Sequence, residues 1–147
     1  MTTDLGELTY RRVHKAPREL LFEVMTTPEH LTHFWGPTGT TTPVDGIVVD
    51  LRPGGAFETL MVSDDDGSTY LMRAVYTEVE APERLAFTEA EAGMTTTITF
   101  NDLGDGTTEV VTHQVNVPAM YRTAEAQAGF ATSLDRCDGY IVSLMEA

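Results

Sequence analysis

One cysteine, one tryptophan and a single lysine, Lys15, are all the chain has of those residues, and each scarcity excludes something. Cys137 alone closes no intramolecular disulfide and builds no cysteine zinc site. It lies in a helix-patterned stretch near Leu134, Ile141 and Leu144 and reads as a small buried apolar group. A reactive thiol needs a cationic surround, and only Arg136 is near in sequence. Basic residues are scarce as well. Nine Lys and Arg face 23 Asp and Glu, a net charge of −14 at pH 7. Arg11, Arg12, Lys15 and Arg18 form the only basic cluster, too small for the phosphate-neutralising stripe that nucleic acids require. Anionic membranes are poor partners for the same reason. No apolar run approaches the roughly 20 residues of a membrane-spanning helix. The opening MTTDLGELTY has neither the basic start nor the apolar stretch of an export signal, so a soluble cytoplasmic protein is expected.

What is present is ordinary globular composition. The chain has 147 residues, 41% of them hydrophobic and 22% charged. That predicts one domain over 1–147, large enough to bury a core unaided. Residues 5–14 read as a first strand. Pro17 opens a short helix over 17–25, and Pro28 a second helical piece over 28–35 that Gly36-Pro37 ends. Six strands follow at 44–51, 56–62, 69–79, 84–91, 94–103 and 107–116. Between them stand the turn signals Arg52-Pro53-Gly54-Gly55, Asp64-Asp65-Asp66-Gly67, Ala81-Pro82-Glu83 and Gly104-Asp105-Gly106. From 120 to 145 apolar residues recur at helical spacing, as one long helix. The order predicts an α+β fold: a twisted antiparallel sheet wrapped around a long C-terminal helix.

Signatures of chemistry are sparse. His30 and His33 stand i,i+3 on the second short helix without a third ligand, so they read as solvent-facing, and no metal is expected. Asp64-Asp65-Asp66-Gly67 begins like a calcium loop but lacks the later ligands and closing Glu, and reads as a hairpin turn. Neither GxSxG nor GxGxxG occurs, so no cofactor is expected. Gly54-Gly55 precedes a strand, not a helix, which removes the phosphate-loop reading. Asp50 and Arg52 read as a polar pair holding that turn, and Arg84 as an anchor of the next hairpin.

Strand parity carries the positive signal. Phe57, Thr59 and Met61 share one face, as do Tyr70, Met72, Ala74 and Tyr76. Thr96, Ile98 and Phe100 form a third set, and Val110, Thr112 and Gln114 a fourth. These faces are expected to look toward the last helix, which offers Met120, Ala124, Gln127, Ala128, Ala131 and Leu134. Small alanines opposite aromatics with a few hydroxyls and amides suit a small-molecule pocket. A filled core using the same residues is the alternative.

Several runs are similar to one family in order: Ala16-Pro17-Arg18-Glu19-Leu20-Leu21-Phe22, Thr27-Pro28-Glu29-His30-Leu31, Phe34-Trp35-Gly36-Pro37, Asp50-Leu51-Arg52-Pro53-Gly54-Gly55, Pro82-Glu83-Arg84-Leu85-Ala86-Phe87-Thr88 and Leu134-Asp135-Arg136. They resemble homologues of the activator of heat-shock-protein ATPase, within the START-like, Bet v 1-like (SRPBCC) superfamily, over about residues 9–144. Two departures keep an aromatic: Phe34-Trp35 stands where a tryptophan pair is usual, and Phe130 follows Gly129. The resemblance implies a helix-grip fold with a cavity between sheet and helix, and puts Trp35 beside its mouth. It does not carry chaperone activation, for which the founding co-chaperone has a further N-terminal domain. The expected function is noncatalytic binding of a hydrophobic or aromatic small molecule. The expected site is Trp35, Phe57, Thr59, Met61, Tyr70, Met72, Tyr76, Ile98, Phe100, Gln114, Met120, Ala124, Gln127, Ala128 and Ala131. A cyclase-, aromatase- or hydrolase-like enzyme using the same cavity is one alternative, with Tyr70, Tyr76, Tyr121 and Arg73 as candidates, although parity turns Arg73 outward. A protein-interaction or chaperone-accessory module is another, and a homodimer is left open.

Overall fold

A computed structural model describes residues 5–146. Met1–Asp4, part of the opening stretch considered for export, lie outside the described residues. Strand β1 is Leu5–His14, with helices α1 (Arg18–Thr26) and α2 (Pro28–Leu31) after it. Strands β2 (Thr40–Thr41), β3 (Val48–Val49), β4 (Ala56–Ser63), β5 (Thr69–Glu80), β6 (Arg84–Glu89), β7 (Thr95–Gly104) and β8 (Thr107–Pro118) precede the long helix α3 (Ala124–Glu146). The strands form one antiparallel sheet in the order β1-β8-β7-β6-β5-β4-β2, with β3 also paired to β4. The sheet curves around α3, as the helix-grip reading requires.

Local chemistry sets the corners. Pro17 holds an extended conformation ahead of α1, whose Leu21, Phe22 and Val24 are buried, and Phe22 meets Phe100 edge-on at 5.5 Å. Arg52-Pro53-Gly54-Gly55 is the turn the sequence suggests. The Arg52 Nε donates to both Asp50 carboxylate oxygens at 2.9 and 3.0 Å. Gly55 is required there, because a Cβ would lie 2.0 Å from the Asp50 carbonyl oxygen. The turn also joins the sheet: Gly54 N donates to Tyr76 O, and Tyr76 N to Gly55 O. Arg84 hydrogen-bonds Glu78 across the β5–β6 pair, and the Asp64–Gly67 run is a hairpin turn closed by Gly67 N on Ser63 O.

Several elements differ from expectation. The helical piece expected over 28–35 is regular only over Pro28–Leu31 and passes into turns, and the two-residue β2 forms where no strand is expected. The strand expected at 44–51 is a single 3-10 turn, Val44–Gly46, followed by the two-residue β3. Pro43 has no N–H for a ladder, and Gly46 passes so near β4 that a Cβ would sit 3.0 Å from the Leu60 Cβ. The long helix starts later than 120. Ala119–Tyr121 is a separate 3-10 turn, and Thr123 then caps α3 by accepting the Ala126 N–H at 3.0 Å.

Contacts from the α2–β2 segment set the rotation of α3. Tyr140 receives His30 Nδ1 at 2.5 Å and the stacked ring of His33 at 4.7 Å. His30 is therefore not simply solvent-facing but seats α2 on α3, whereas His33, just beyond α2, is exposed as expected while its ring stacks on Tyr140. One turn earlier, Arg136 donates to the carbonyls of Gly36 and Pro37 at 2.8 and 3.1 Å. One turn earlier again, Thr132 Oγ1 accepts the Thr38 N–H at 2.9 Å. Residues 132, 136 and 140 form one i,i+4 row, so the adjoining row 126, 130, 133, 137 and 141 is turned under the sheet.

Candidate functional site

A cavity of about 520 Å³ lies between the concave sheet face and α3. Strand register shows how its wall is built. Leu8 lies opposite Gln114, Gln114 opposite Thr96, and Thr96 opposite Phe87, which makes one row across four strands. The next row runs Tyr10, Thr112, Ile98, and the third Arg12, Val110, Phe100, with His14 beyond them on β1. All of these side chains line the cavity. Rows two residues apart stand roughly 7 Å apart along the strands. Opposite them α3 presents Ala126, Gly129, Phe130, Ser133, Leu134, Cys137, Asp138 and Ile141. The Phe130 ring lies 4.6 Å from that of Tyr10 and closes the β1 side.

Of the residues expected at the site, Trp35, Met61, Tyr70, Met72, Ile98, Phe100 and Gln114 line this cavity. Phe57, Thr59 and Tyr76 face inward as parity requires but lie in a filled part of the core. Phe57 stacks on Tyr76 at 5.3 Å and meets Phe87 edge-on at 4.9 Å, while Thr59 is wholly buried. The helix residues Met120, Ala124, Gln127, Ala128 and Ala131 are placed elsewhere. Met120, Ala124 and Ala128 are exposed, and Gln127 turns back to donate to the Arg122 carbonyl at 2.9 Å. Leu134 alone of the expected helix face reaches the cavity. Alanine is the best helix former on any face, so its spacing does not identify the buried one.

Trp35 divides the two parts of the core. It is half-buried, borders the cavity, and packs edge-on against Phe57 at 5.3 Å. Its Nε1 donates to Thr59 Oγ1 at 3.1 Å, which satisfies both buried polar groups.

Polar groups gather at the two ends of the rows. At the β1 end Arg12 donates to Asp135 at 2.8 Å and Asp138 at 2.5 Å. Buried His14 has its Nε2 3.6 Å from Asp138 Oδ1, an oxygen with no hydrogen-bond partner. Burial lowers the His14 pKa, against the opposing pull of Asp138. Burial and then Asp138 push the Cys137 thiol up to about 12, which leaves it an apolar wall group. At the other end stand Tyr70 and Tyr121, together with Glu89 and Met94. Gln114 donates to Thr96 Oγ1 nearby at 3.4 Å. Of the enzyme candidates, Tyr70 and Tyr121 line the cavity, Tyr76 is in the filled core, and Arg73 faces outward beside Glu58 at 4.0 Å. The β1 residues, Glu89 and Asp138 are not among the residues the sequence pattern singles out, although parity with Leu85 and Phe87 points Glu89 inward. Among the described residues no three His, Cys, Asp or Glu side chains converge as metal ligands, and no helix is long and apolar enough to cross a membrane.

An antiparallel sheet gripping one long helix around a cavity defines the helix-grip class. Within it, the family model described as activator of Hsp90 ATPase homolog 1-like protein matches residues 15–141, and the chain belongs to that family. Among curated proteins, no sequence matches the chain. Solved structures repeat the fold. A protein from Chromobacterium violaceum is 24% identical, with a TM-score of 0.82 over 91% of this chain and 96% of that one. The AHSA1-like protein from Aeromonas hydrophila is 23% identical, with a TM-score of 0.81 over 94% and 93%. A Nitrosomonas europaea protein, also 23% identical, has a TM-score of 0.81 over 97% of each chain.

Proposed function

We propose that this protein binds a hydrophobic or aromatic small molecule in the cavity between sheet and α3, without transforming it. The observation that carries the reading is the cavity itself. Its volume of about 520 Å³ falls inside the roughly 300–1,000 Å³ range of small-molecule sites. A filled core would leave no such space, since interiors are packed like organic crystals. The wall is mostly apolar, with isolated hydroxyl and amide groups at Thr96, Thr112, Gln114 and Ser133 to orient a ligand. Methionines at Met25, Met61, Met72 and Met94 give it adaptable edges. The noncatalytic part of the reading rests on pairing at the β1 end, where Arg12 is held by two carboxylates and the Cys137 thiol is kept protonated.

Calorimetric titration with a panel of neutral polycyclic aromatics tests the proposal. Binding at roughly micromolar affinity, about 8 kcal/mol, is expected for the best of them. Trp35, as the only tryptophan, reports the same event, and its emission should shift while iodide quenches it less. Saturating titration with no heat and no change in emission would remove the proposal.

A further inference from the structure

A carboxylate on the wall of an apolar cavity is costly unless something pairs with it. Glu89 is in that position. On β6 it follows Leu85 and Phe87 on the inward face, one step beyond the row that joins Phe87 to Thr96 and Gln114, and it lies opposite Ala74 of β5. It is half-buried and lines the cavity. Its carboxylate accepts no hydrogen bond and meets no cation among the described residues. Arg12, a charge at the far end of the same sheet face, shows the contrast, because Asp135 and Asp138 answer it from within the chain. Burial, with Glu91 adding to it, raises the Glu89 pKa above the ordinary carboxylate value, so the site already disfavours an unpaired negative charge.

We propose that the ligand is an apolar amine whose protonated nitrogen pairs with Glu89 while its hydrocarbon or aromatic body lies along the rows toward Phe130. The inference rests on the cavity reading above and adds the chemistry of the ligand's polar end. Two further observations and one general consideration favour a cation. Tyr70 and Tyr121 place aromatic rings at the same end of the cavity, and ring faces attract ammonium groups. The net charge of −14 draws cations toward the protein and repels anions. An ion pair formed inside the cavity is screened less than one in water.

Three probes of one shape test this at pH 7.5: 2-naphthylmethylamine, 2-naphthylmethanol and 2-methylnaphthalene. Each is titrated against the wild-type protein, Glu89→Gln and Glu91→Gln, with circular dichroism confirming that the variants fold. The expected result is that the amine binds wild type at least tenfold more tightly than the hydrocarbon and the alcohol. Glu89→Gln should erase that preference while the hydrocarbon's affinity stays the same. Glu91→Gln, at an exposed neighbour, should keep it. An amine that binds no better than the hydrocarbon, an alcohol that binds as tightly as the amine, or a preference that survives in Glu89→Gln overturns the inference and leaves the cavity reading standing. Failure of all three probes to bind removes both.

Discussion

Midway along β4 and β5 the inward side chains close on one another: Phe57 lies against Tyr76, Phe87 and Trp35, and Thr59 meets the Trp35 indole, while Met61, Tyr70 and Met72 of the same strands reach the cavity. Under β7, β8 and β1 the same strand parity leads instead to open space faced by Ala126, Gly129 and Ser133 of α3. One sheet face thus has a filled half and a hollow half, with Phe87 and Trp35 as the wall between them. The difference follows from side-chain volume on the two sides. Large rings meet large rings throughout the filled half, whereas in the hollow half the large groups, such as Tyr10 against Phe130, are interspersed with hydroxyls and an amide of the sheet and with the small Ala126, Gly129 and Ser133 of the helix. Stability should therefore reside in the first region and ligand response in the second.

Phe57→Ala should have the largest effect on stability, a loss of about 3–5 kcal/mol for an aromatic truncated in a packed core. Urea unfolding measures it, and a loss under about 1 kcal/mol would make the two halves alike. Ser133→Trp should act in the opposite way. Overpacking a filled interior costs roughly 1–3 kcal/mol, but here the new ring enters open space, so the melting temperature should hardly change while probe affinity falls more than tenfold. Ala128→Trp, on the exposed face of α3, should leave affinity unchanged.

Smaller effects sharpen the same contrast. Gly129 sits within α3 with nothing within 4 Å of an added Cβ, so Gly129→Ala should stabilise by about 0.5–1 kcal/mol through helix propensity alone. Thermal melts at fixed pH would show it. Cys137 should resist iodoacetamide in the native protein at pH 8 and react after denaturation, because its pKa is pushed up to about 12. Glu89 predicts a pH effect whose sign follows from its raised pKa. The folded state holds that proton more tightly than the unfolded state, so stability falls as pH rises through the window above the ordinary glutamate value. Glu89→Gln should consequently melt slightly higher than wild type at neutral pH, with the gain vanishing below about pH 4, near the ordinary glutamate pKa.

Strand parity was legible because alternation has one solution once a face is buried. The sets 57/59/61, 96/98/100 and 110/112/114 all point inward as the sequence suggests. The turn at 52–55 was legible because its glycine has no substitute beside Asp50. The rotation of α3 was not, since it depends on Tyr140, Arg136 and Thr132 meeting residues about a hundred positions away in sequence. Nor was the division between filled and hollow halves, for Phe57 and Phe100 have the same inward parity. Their roles separate only when Tyr76 and Trp35 crowd one of them and α3 stands back from the other strands. Charged Arg12 hid the inward parity of β1, which its pairing with Asp135 and Asp138 explains.

The most direct test of the two-part core is to saturate isotope-labelled protein with 2-methylnaphthalene and map amide and methyl shifts. The largest changes are expected at Ile98, Thr112, Gln114, Gly129 and Ser133, and small ones at Ala74 and Thr59. Shifts concentrated at Thr59 and Ala74, or no shifts at saturation, would contradict it.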